Sequence, residues 1–318
     1  MLNNIKNNQY IEGFFIVHKK EVLTAKNNKQ YLNLIIGDKT GQINAKMWDI
    51  SHNFDNIEEE DVVFLKGKVD KFKDNLQVIV ESIEKKEVPE TILNNLIPTT
   101  DKNIEEMFAN ILNFKNSIST KPVKKLIEKI FNNEFIELFK ISPAATTYHH
   151  AYRGGLVEHT LTVVTLCDKF SSVYTNVNRD ILIAGAILHD IGKVYEYNNK
   201  TFKRTDYGRL IGHIAIGISM VDKALGKIKN FPEKLSFAIK HLILSHHGRL
   251  EWGSPVQPST IEASLLHFAD NLDSEIQTFL ELDNEKKGWQ YNKSLRRNVY
   301  LDDLLIESAD NNAEKTLF

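Results

Sequence analysis

Hydrophobic and polar positions change rhythm along this chain. Between residues 13 and 84 they alternate with a period of two, and β-branched and aromatic side chains are frequent. The alternation predicts strands over residues 13–24, 31–36, 42–48, 62–69 and 76–83. Turn formers punctuate them at Lys26-Asn27-Asn28, Gly37-Asp38-Lys39-Thr40-Gly41 and Lys73-Asp74-Asn75. An acidic run over 55–61 sits between the third and fourth strands and suits a short helix or loop. Beyond residue 90 the period lengthens. Ile104, Met107, Phe108, Ile111 and Leu112 recur at helical spacing, and Pro122 can open a further helix. From Pro143 onward the pattern predicts helices over residues 157–174, 179–189, 214–227, 232–245 and 260–280.

Five strands with an insertion after the third match the layout of an OB-fold barrel. The expected architecture is therefore an N-terminal all-β OB-fold barrel over residues 1–90, a helical connector over 91–142, an all-α domain over 143–300 and a polar tail over 301–318. Strand alternation assigns the barrel faces. Leu32, Leu34 and Ile36 oppose Tyr31 and Asn33, while Ile43, Ala45 and Met47 oppose Gln42, Asn44, Lys46 and Trp48. On the fourth strand Lys66, Lys68 and Phe72 share a parity, together with Asp70. One side of the barrel thus collects Tyr31, Trp48 and Phe72 among Lys46, Lys66 and Lys68. Such a face can stack bases and meet phosphates of a single strand. Packing and solubility are the alternative roles for the same residues.

Composition narrows the setting. The chain has 318 residues, more than one typical core requires, so two domains are natural. No apolar run reaches membrane-spanning length, and Met1-Leu2-Asn3-Asn4-Ile5-Lys6 lacks the apolar stretch of a secretory leader. Cys167 is the one cysteine, which excludes an intramolecular disulfide and fits a reducing cytoplasm. Its neighbours Val163, Val164, Leu166 and Phe170 mark it as core. A net charge of −2 offers no global attraction for a polyanion, so any nucleic-acid contact must come from local patches.

The candidate chemistry lies in the histidines. Of 11 in the chain, only His18 and His52 precede His149. His189-Asp190 places two ligands of different hardness side by side, with His159 before them and His213, His246-His247 and Asp270 after. His159 lies near the start of one predicted helix, His189-Asp190 and His246-His247 end two others, and His213 opens a fourth. Asp270 falls in an apolar helix beside Leu265, Leu266, Phe268 and Leu272, where a carboxylate is costly without a cation or donor. No cysteine accompanies the cluster, which argues against a structural zinc site. A helix cap or a core hydrogen bond is the alternative for each histidine alone.

His159, His189-Asp190 and Asp270 resemble the His…His-Asp…Asp signature of the HD superfamily of metal-dependent phosphohydrolases. His213 and His246-His247 resemble the additional histidines of members holding two ions. The resemblance implies an HD-type helical domain in which His159, His189, Asp190 and Asp270 hold one ion. Asp190 would bridge to a second, held by His213 with His246, His247 or both. Two such ions can clamp the attacking and leaving oxygens of a phosphodiester. Lys193 is placed to neutralise a phosphate oxygen or protonate a leaving group.

A longer run, His149-His150-Ala151-Tyr152-Arg153-Gly154-Gly155-Leu156-Val157-Glu158-His159-Thr160, is similar to the YhaM-type 3′→5′ exoribonucleases. Gly253-Ser254-Pro255, Pro258, Glu262-Ala263 and Leu266-His267-Phe268-Ala269-Asp270-Asn271-Leu272-Asp273 extend that similarity. It implies manganese-stimulated hydrolysis of single-stranded RNA from the 3′ end and some action on single-stranded DNA; the sequence leaves a homo-oligomer open. Lys193-Val194-Tyr195-Glu196 lacks the Gly-Tyr-Pro signature of cyclic-dinucleotide phosphodiesterases. On the substrate side Arg153 could grip a phosphate, His149 and His150 could contact substrate or cap a helix, and Tyr152, Arg249 and Trp252 could meet a base. A nucleotidase with a regulatory barrel and a non-catalytic nucleic-acid-binding regulator are the competing functions.

Overall fold

The computed structural model describes residues 2–49, 54, 56–146, 150–280, 282, 287–293 and 295–301. Five strands form the N-terminal unit: β1 (Tyr10–Thr24), β2 (Gln30–Asp38), β3 (Gly41–Met47), β4 (Val62–Phe72) and β5 (Asn75–Lys85). They close a barrel in the order β1-β2-β3-β5-β4, with β1 pairing β4 antiparallel and β3 pairing β5 parallel. The alternation deduced above holds, since Leu32, Leu34, Ile36, Ala45 and Met47 are buried inside. Each Leu, Ile or Met among them contributes about 2 kcal/mol relative to exposure. Between β3 and β4, Ile57 is fully buried in the barrel core.

Helices follow: α1 (Glu90–Leu96), α2 (Ile104–Ser117), α3 (Lys121–Ile130), α4 (Asn133–Ile141), α5 (Gly155–Val173), α6 (Arg179–Leu188), α7 (Lys193–Glu196), α8 (Asp206–Ile211), α9 (His213–Leu225), α10 (Glu233–Ser245) and α11 (Ile261–Leu280). Every residue from Ile181 to Leu188 is buried, so α6 is the central helix around which the others pack. Asn178 starts it by accepting from Ile181 N. Asp180 accepts the backbone N–H groups of Ser119 and Thr120, tying α3 to the same end. Met107, Phe108, Ile111, Val123, Leu126 and Ile127 join the core that holds α5, α6 and α11, so α2 and α3 are part of the helical domain. A two-stranded hairpin, β6 (Gly288–Asn292) and β7 (Arg297–Leu301), follows α11. It corrects the expectation of an all-helical stretch there. The strand signal is short and spans a single Trp-Gln-Tyr alternation, too little to register as a sheet.

A small apolar cluster joins barrel to helices: Ile16 and Val62 from the strands, Leu96 and Ile97 from the connector, and Phe202 from the loop between α7 and α8. Beside it the Lys203 ammonium donates to the His18 carbonyl and pairs with Glu59 at 3.2 Å. The His18 ring accepts a hydrogen bond from the Gln42 amide at 3.2 Å through Nδ1. It lies flat over Gly37, where a Cβ would come within 2.4 Å of its Nε2. Burial, reinforced by the Lys203 charge, lowers the His18 pKa from 6.5 to about 4.

That shift has a sign. Unfolded His18 takes up a proton near pH 6.5 and folded His18 only near pH 4, so its contribution is complete above 6.5 and is lost as pH falls to about 4. The loss amounts to at most about 3 kcal/mol. Urea unfolding of His18→Gln at pH 6.5 and 4.5 is expected to show a smaller difference in midpoint than wild type. An undiminished difference would remove His18 as the cause.

Candidate metal centre

The centre is assembled where helix ends meet. His159 lies in the second turn of α5; His189 caps α6, and Asp190 follows it. His213 opens α9, His246 caps α10, and Asp270 lies midway along α11. A glycine makes this convergence possible. A Cβ on Gly192 would sit 2.0 Å from the His213 carbonyl oxygen and 2.8 Å from Gly217 N, so only the bare backbone lets the turn after Asp190 lie against the start of α9.

Each imidazole is held by the same device. His189 Nδ1 donates to the Ala186 carbonyl at 2.8 Å, and His246 Nδ1 to the Ile243 carbonyl at 2.7 Å. Both satisfy carbonyls that a helix C-terminus leaves unpaired. His247 Nδ1 donates to the Trp252 carbonyl at 3.0 Å. His159 Nδ1 donates to Asp273 Oδ2 at 2.6 Å, and His213 Nδ1 lies 2.9 Å from Glu196 Oε2. With Nδ1 turned to these partners, Nε2 is the nitrogen left in each ring to coordinate an ion.

The Nε2 atoms face Asp190. Its Oδ2 lies 3.3 Å from both His159 Nε2 and His189 Nε2, and His159 Nε2 lies 3.3 Å from Asp270 Oδ1. Its Oδ1 lies 3.5 Å from His213 Nε2 and 3.6 Å from His246 Nε2. One carboxylate thus serves two donor groups, His159, His189 and Asp270 on one side and His213, His246 and His247 on the other. The described residues include two matching sets with ligand atoms within 4.8 Å of each other, His159-His189-Asp190 and His213-His246-His247. Asp190 Oδ2 meets the Lys193 ammonium at 2.5 Å, whereas Asp190 Oδ1, His213 Nε2 and His246 Nε2 are buried without a hydrogen bond of acceptable geometry. Buried polar atoms left this way are costly unless a cation takes them. The donor set, imidazole nitrogen with carboxylate oxygen, suits a first-row divalent ion.

Two family models match this chain, the OB-fold nucleic acid binding domain over residues 16–85 and the HD domain over 156–275. A third, described as a helicase, spans 95–178 and bears on none of the centre beyond His159. A protein named 3′-5′ exoribonuclease YhaM from Geobacillus sp. (strain WCH70) is 32% identical over 271 residues, covering 84% of this chain and 83% of that protein. The chain belongs to the YhaM family. Solved structures similar to its barrel include the second OB-fold domain of replication protein A from Methanococcus maripaludis, at 20% identity over 28% of this chain and 95% of that one, TM-score 0.24. The mitochondrial single-stranded DNA binding protein Rim1 from S. cerevisiae aligns at 12% identity over 27% of this chain and 100% of its own, TM-score 0.24. At that level of similarity neither says anything about ligands.

In this YhaM-family chain the charges are mutually dependent. Burial opposes the ionisation of Asp190, but Lys193, His189 and His159 hold its pKa well below the ordinary value. Lys193 Nζ lies 2.5 Å from Asp190 Oδ2, and that carboxylate outweighs burial to raise the ammonium pKa. Burial also opposes charge on His159, and Asp190, Asp270 and Asp273 overcome it, raising its pKa well above normal. His246, with less compensation, is pushed well below normal by burial. An open cavity of about 440 Å³ reaches the centre, lined by Lys193, His247, Trp252, Asp270, Asn271 and Ser274.

The substrate-side expectations fare differently. Arg153 is occupied elsewhere: its guanidinium binds Glu90 at 2.5 Å and Asn94 at 2.9 Å, fastening α1 to the start of α5. His150 is fully buried and binds Asp273 at 3.0 Å and Tyr152 Oη at 2.8 Å, so it braces the His159 partner instead of facing substrate. Tyr152 donates to Glu158 at 3.0 Å and is part of the same framework. His149 lies outside the described residues. On the barrel a groove of about 330 Å³ is lined by Tyr31, Asn33, Lys46, Phe72 and Lys73. Tyr31 packs on Trp48 at 4.6 Å, and Lys46 covers Phe72 at 5.0 Å. Lys66 is instead paired with Glu12 at 2.7 Å, and neither it nor Lys68 lines the groove. Closure of the barrel carries those positions round toward β1, and Lys73 in the β4–β5 turn takes their place.

Asp273 and Glu196 had no role in the sequence reasoning. Their signal was helical spacing: Asp273 follows Asp270 by three residues, and Glu196 follows Lys193 by three.

Proposed function

We propose that this chain is a divalent-metal-dependent 3′→5′ exoribonuclease that acts on single-stranded RNA, and on single-stranded DNA as a secondary substrate. The observation that carries the reading is Asp190, whose two buried oxygens each face a separate cluster of inward-turned imidazoles. His159, His189, Asp190 and Asp270 would hold one ion; Asp190, His213, His246 and His247 would hold the other. Bound ions would supply Lewis-acid stabilisation of a phosphodiester and an activated water, and Mn²⁺ suits this mixed donor set. The chain's own groups do the rest. Lys193 lines the cavity, where its ammonium can balance a phosphate oxygen. Asp273 and Glu196 fix the rings of His159 and His213, and Trp252 offers a half-exposed ring at the cavity edge. The barrel groove supplies rings and ammonium groups for the upstream strand.

The test is a time course on 5′-labelled single-stranded RNA with Mn²⁺, with and without chelator. A descending ladder abolished by chelator, and slowed by a 3′-phosphate, supports the reading. Intact RNA with hydrolysis of small nucleotides would instead indicate a nucleotidase. For the barrel, Trp48→Ala is expected to weaken RNA binding about 10-fold. Lys46→Ala should lower the log–log salt slope by about 0.7. Titration of labelled RNA in chelator measures both, and wild-type affinity in both variants would take the groove out of the account.

A further inference from the structure

We infer that the hairpin β6–β7, anchored on the helix α11 that carries Asp270, is a second contact for single-stranded RNA; the inference rests on the exonuclease reading and extends it. The chain as a whole is slightly acidic, yet between Lys287 and Leu301 it carries Lys287, Lys293, Arg296 and Arg297 and no carboxylate. The same segment exposes Trp289, Tyr291 and Tyr300, with Trp289 the most open at 74%. Register places these rings on one side. Trp289 pairs across from Tyr300, and Tyr291 from Asn298, while Val299 is buried on the opposite side. Trp289 and Tyr300 lie 5.3 Å apart with their planes tilted by 57°. A monomeric protein gains nothing from holding three such rings in water.

The hairpin's position is fixed by Arg297. Its guanidinium pairs with Glu275 and covers the Phe279 ring at 5.7 Å, both on α11. Glu275 follows Ser274, which lines the cavity, and comes one helical turn after Asn271, which also lines it. The hairpin is therefore anchored to α11, the helix that also carries the cavity-lining Asn271 and Ser274. A polyanion with flat bases matches both features at once: the bases can stack on the rings and the phosphates can meet Lys293 and Arg296. A second copy of this chain, which is mildly acidic overall, would match the rings without a comparable reason for an acid-free segment.

The test is binding of a single-stranded RNA longer than the ~16-nucleotide footprint of one OB-fold, measured in chelator so that no hydrolysis is needed. Turnover of a trinucleotide with Mn²⁺ runs alongside. The variants are Trp289→Ala/Tyr291→Ala and, separately, Arg296→Ala; all three residues are exposed, so the fold should stand. The expected result is at least 10-fold weaker binding for the double variant, a salt slope lower by about 0.7 for Arg296→Ala, and unchanged trinucleotide turnover. Wild-type affinity in the double variant overturns the inference. So does a change of sedimenting mass with unchanged affinity, which assigns the rings to a second copy. If wild type yields no ladder but its RNA binding still depends on the hairpin, the exonuclease reading falls and this contact stands.

Discussion

Asp190→Ala should lower RNA hydrolysis by about 1,000-fold or more, the largest effect expected of any single substitution in this protein. The side chain is shared by both donor groups, so its removal dismantles two sites at once. It also strands Lys193, whose ammonium lies 2.5 Å away and whose side chain is 14% exposed. Losing one partner of such a buried pair costs about 3–5 kcal/mol, so the variant is expected to be less stable as well as inactive. Asp190→Asn/Lys193→Met separates the two effects: it removes both charges, and should recover stability without recovering activity. Calorimetric titration with Mn²⁺ should show wild type binding two ions and the double variant losing high-affinity uptake. Retention of more than about a tenth of wild-type hydrolysis in either variant contradicts a bridging Asp190.

Gly192→Ala ranks second. The added methyl would meet the His213 carbonyl oxygen at 2.0 Å and Gly217 N at 2.8 Å, both backbone atoms that cannot rotate aside. Accommodating it must move α9 away from the turn after Asp190, and His213 goes with it. A destabilisation of about 3 kcal/mol or more is expected, measured by urea unfolding in chelator. A thermal scan with Mn²⁺ should show a smaller metal-induced rise in Tm than wild type, since the second donor group loses His213. Unchanged stability and an unchanged rise would show that the two segments separate freely.

Much of this was legible in the residue pattern for physical reasons. The barrel strands announced themselves because one face of each meets the core, which forces alternation at Leu32, Leu34 and Ile36 and again at Ala45 and Met47. The convergence of His159, His189, Asp190 and Asp270 was legible because a carboxylate such as Asp270 on an apolar helix demands a partner. The braces were not. Asp273 and Glu196 look like ordinary helix carboxylates until folding puts them against His159 and His213. Arg153 and His150 were misplaced for the opposite reason. A cation and an imidazole near a ligand suggest substrate, and only the fold shows Glu90, Asn94 and Asp273 already holding them. Closure of the barrel likewise decided that Lys73 and not Lys66 borders the groove, since strand parity says which face a residue takes but not how far round it lies.

The connector reaches further into the chemistry than its place in the chain suggests. Thr100 donates to Glu158 at 2.7 Å and Lys102 pairs with it at 2.9 Å; Glu158 accepts from Tyr152, Tyr152 meets His150, and His150 shares Asp273 with His159. Residues just past the barrel are thereby joined to His159 by an unbroken chain of polar contacts. The helical half is thus not a transplantable module. An excision at residue 143 would discard the anchor of Glu158 together with the core helices α2 and α3, and a graft of the ligand helices alone onto another scaffold would carry His159 without the support that aims it.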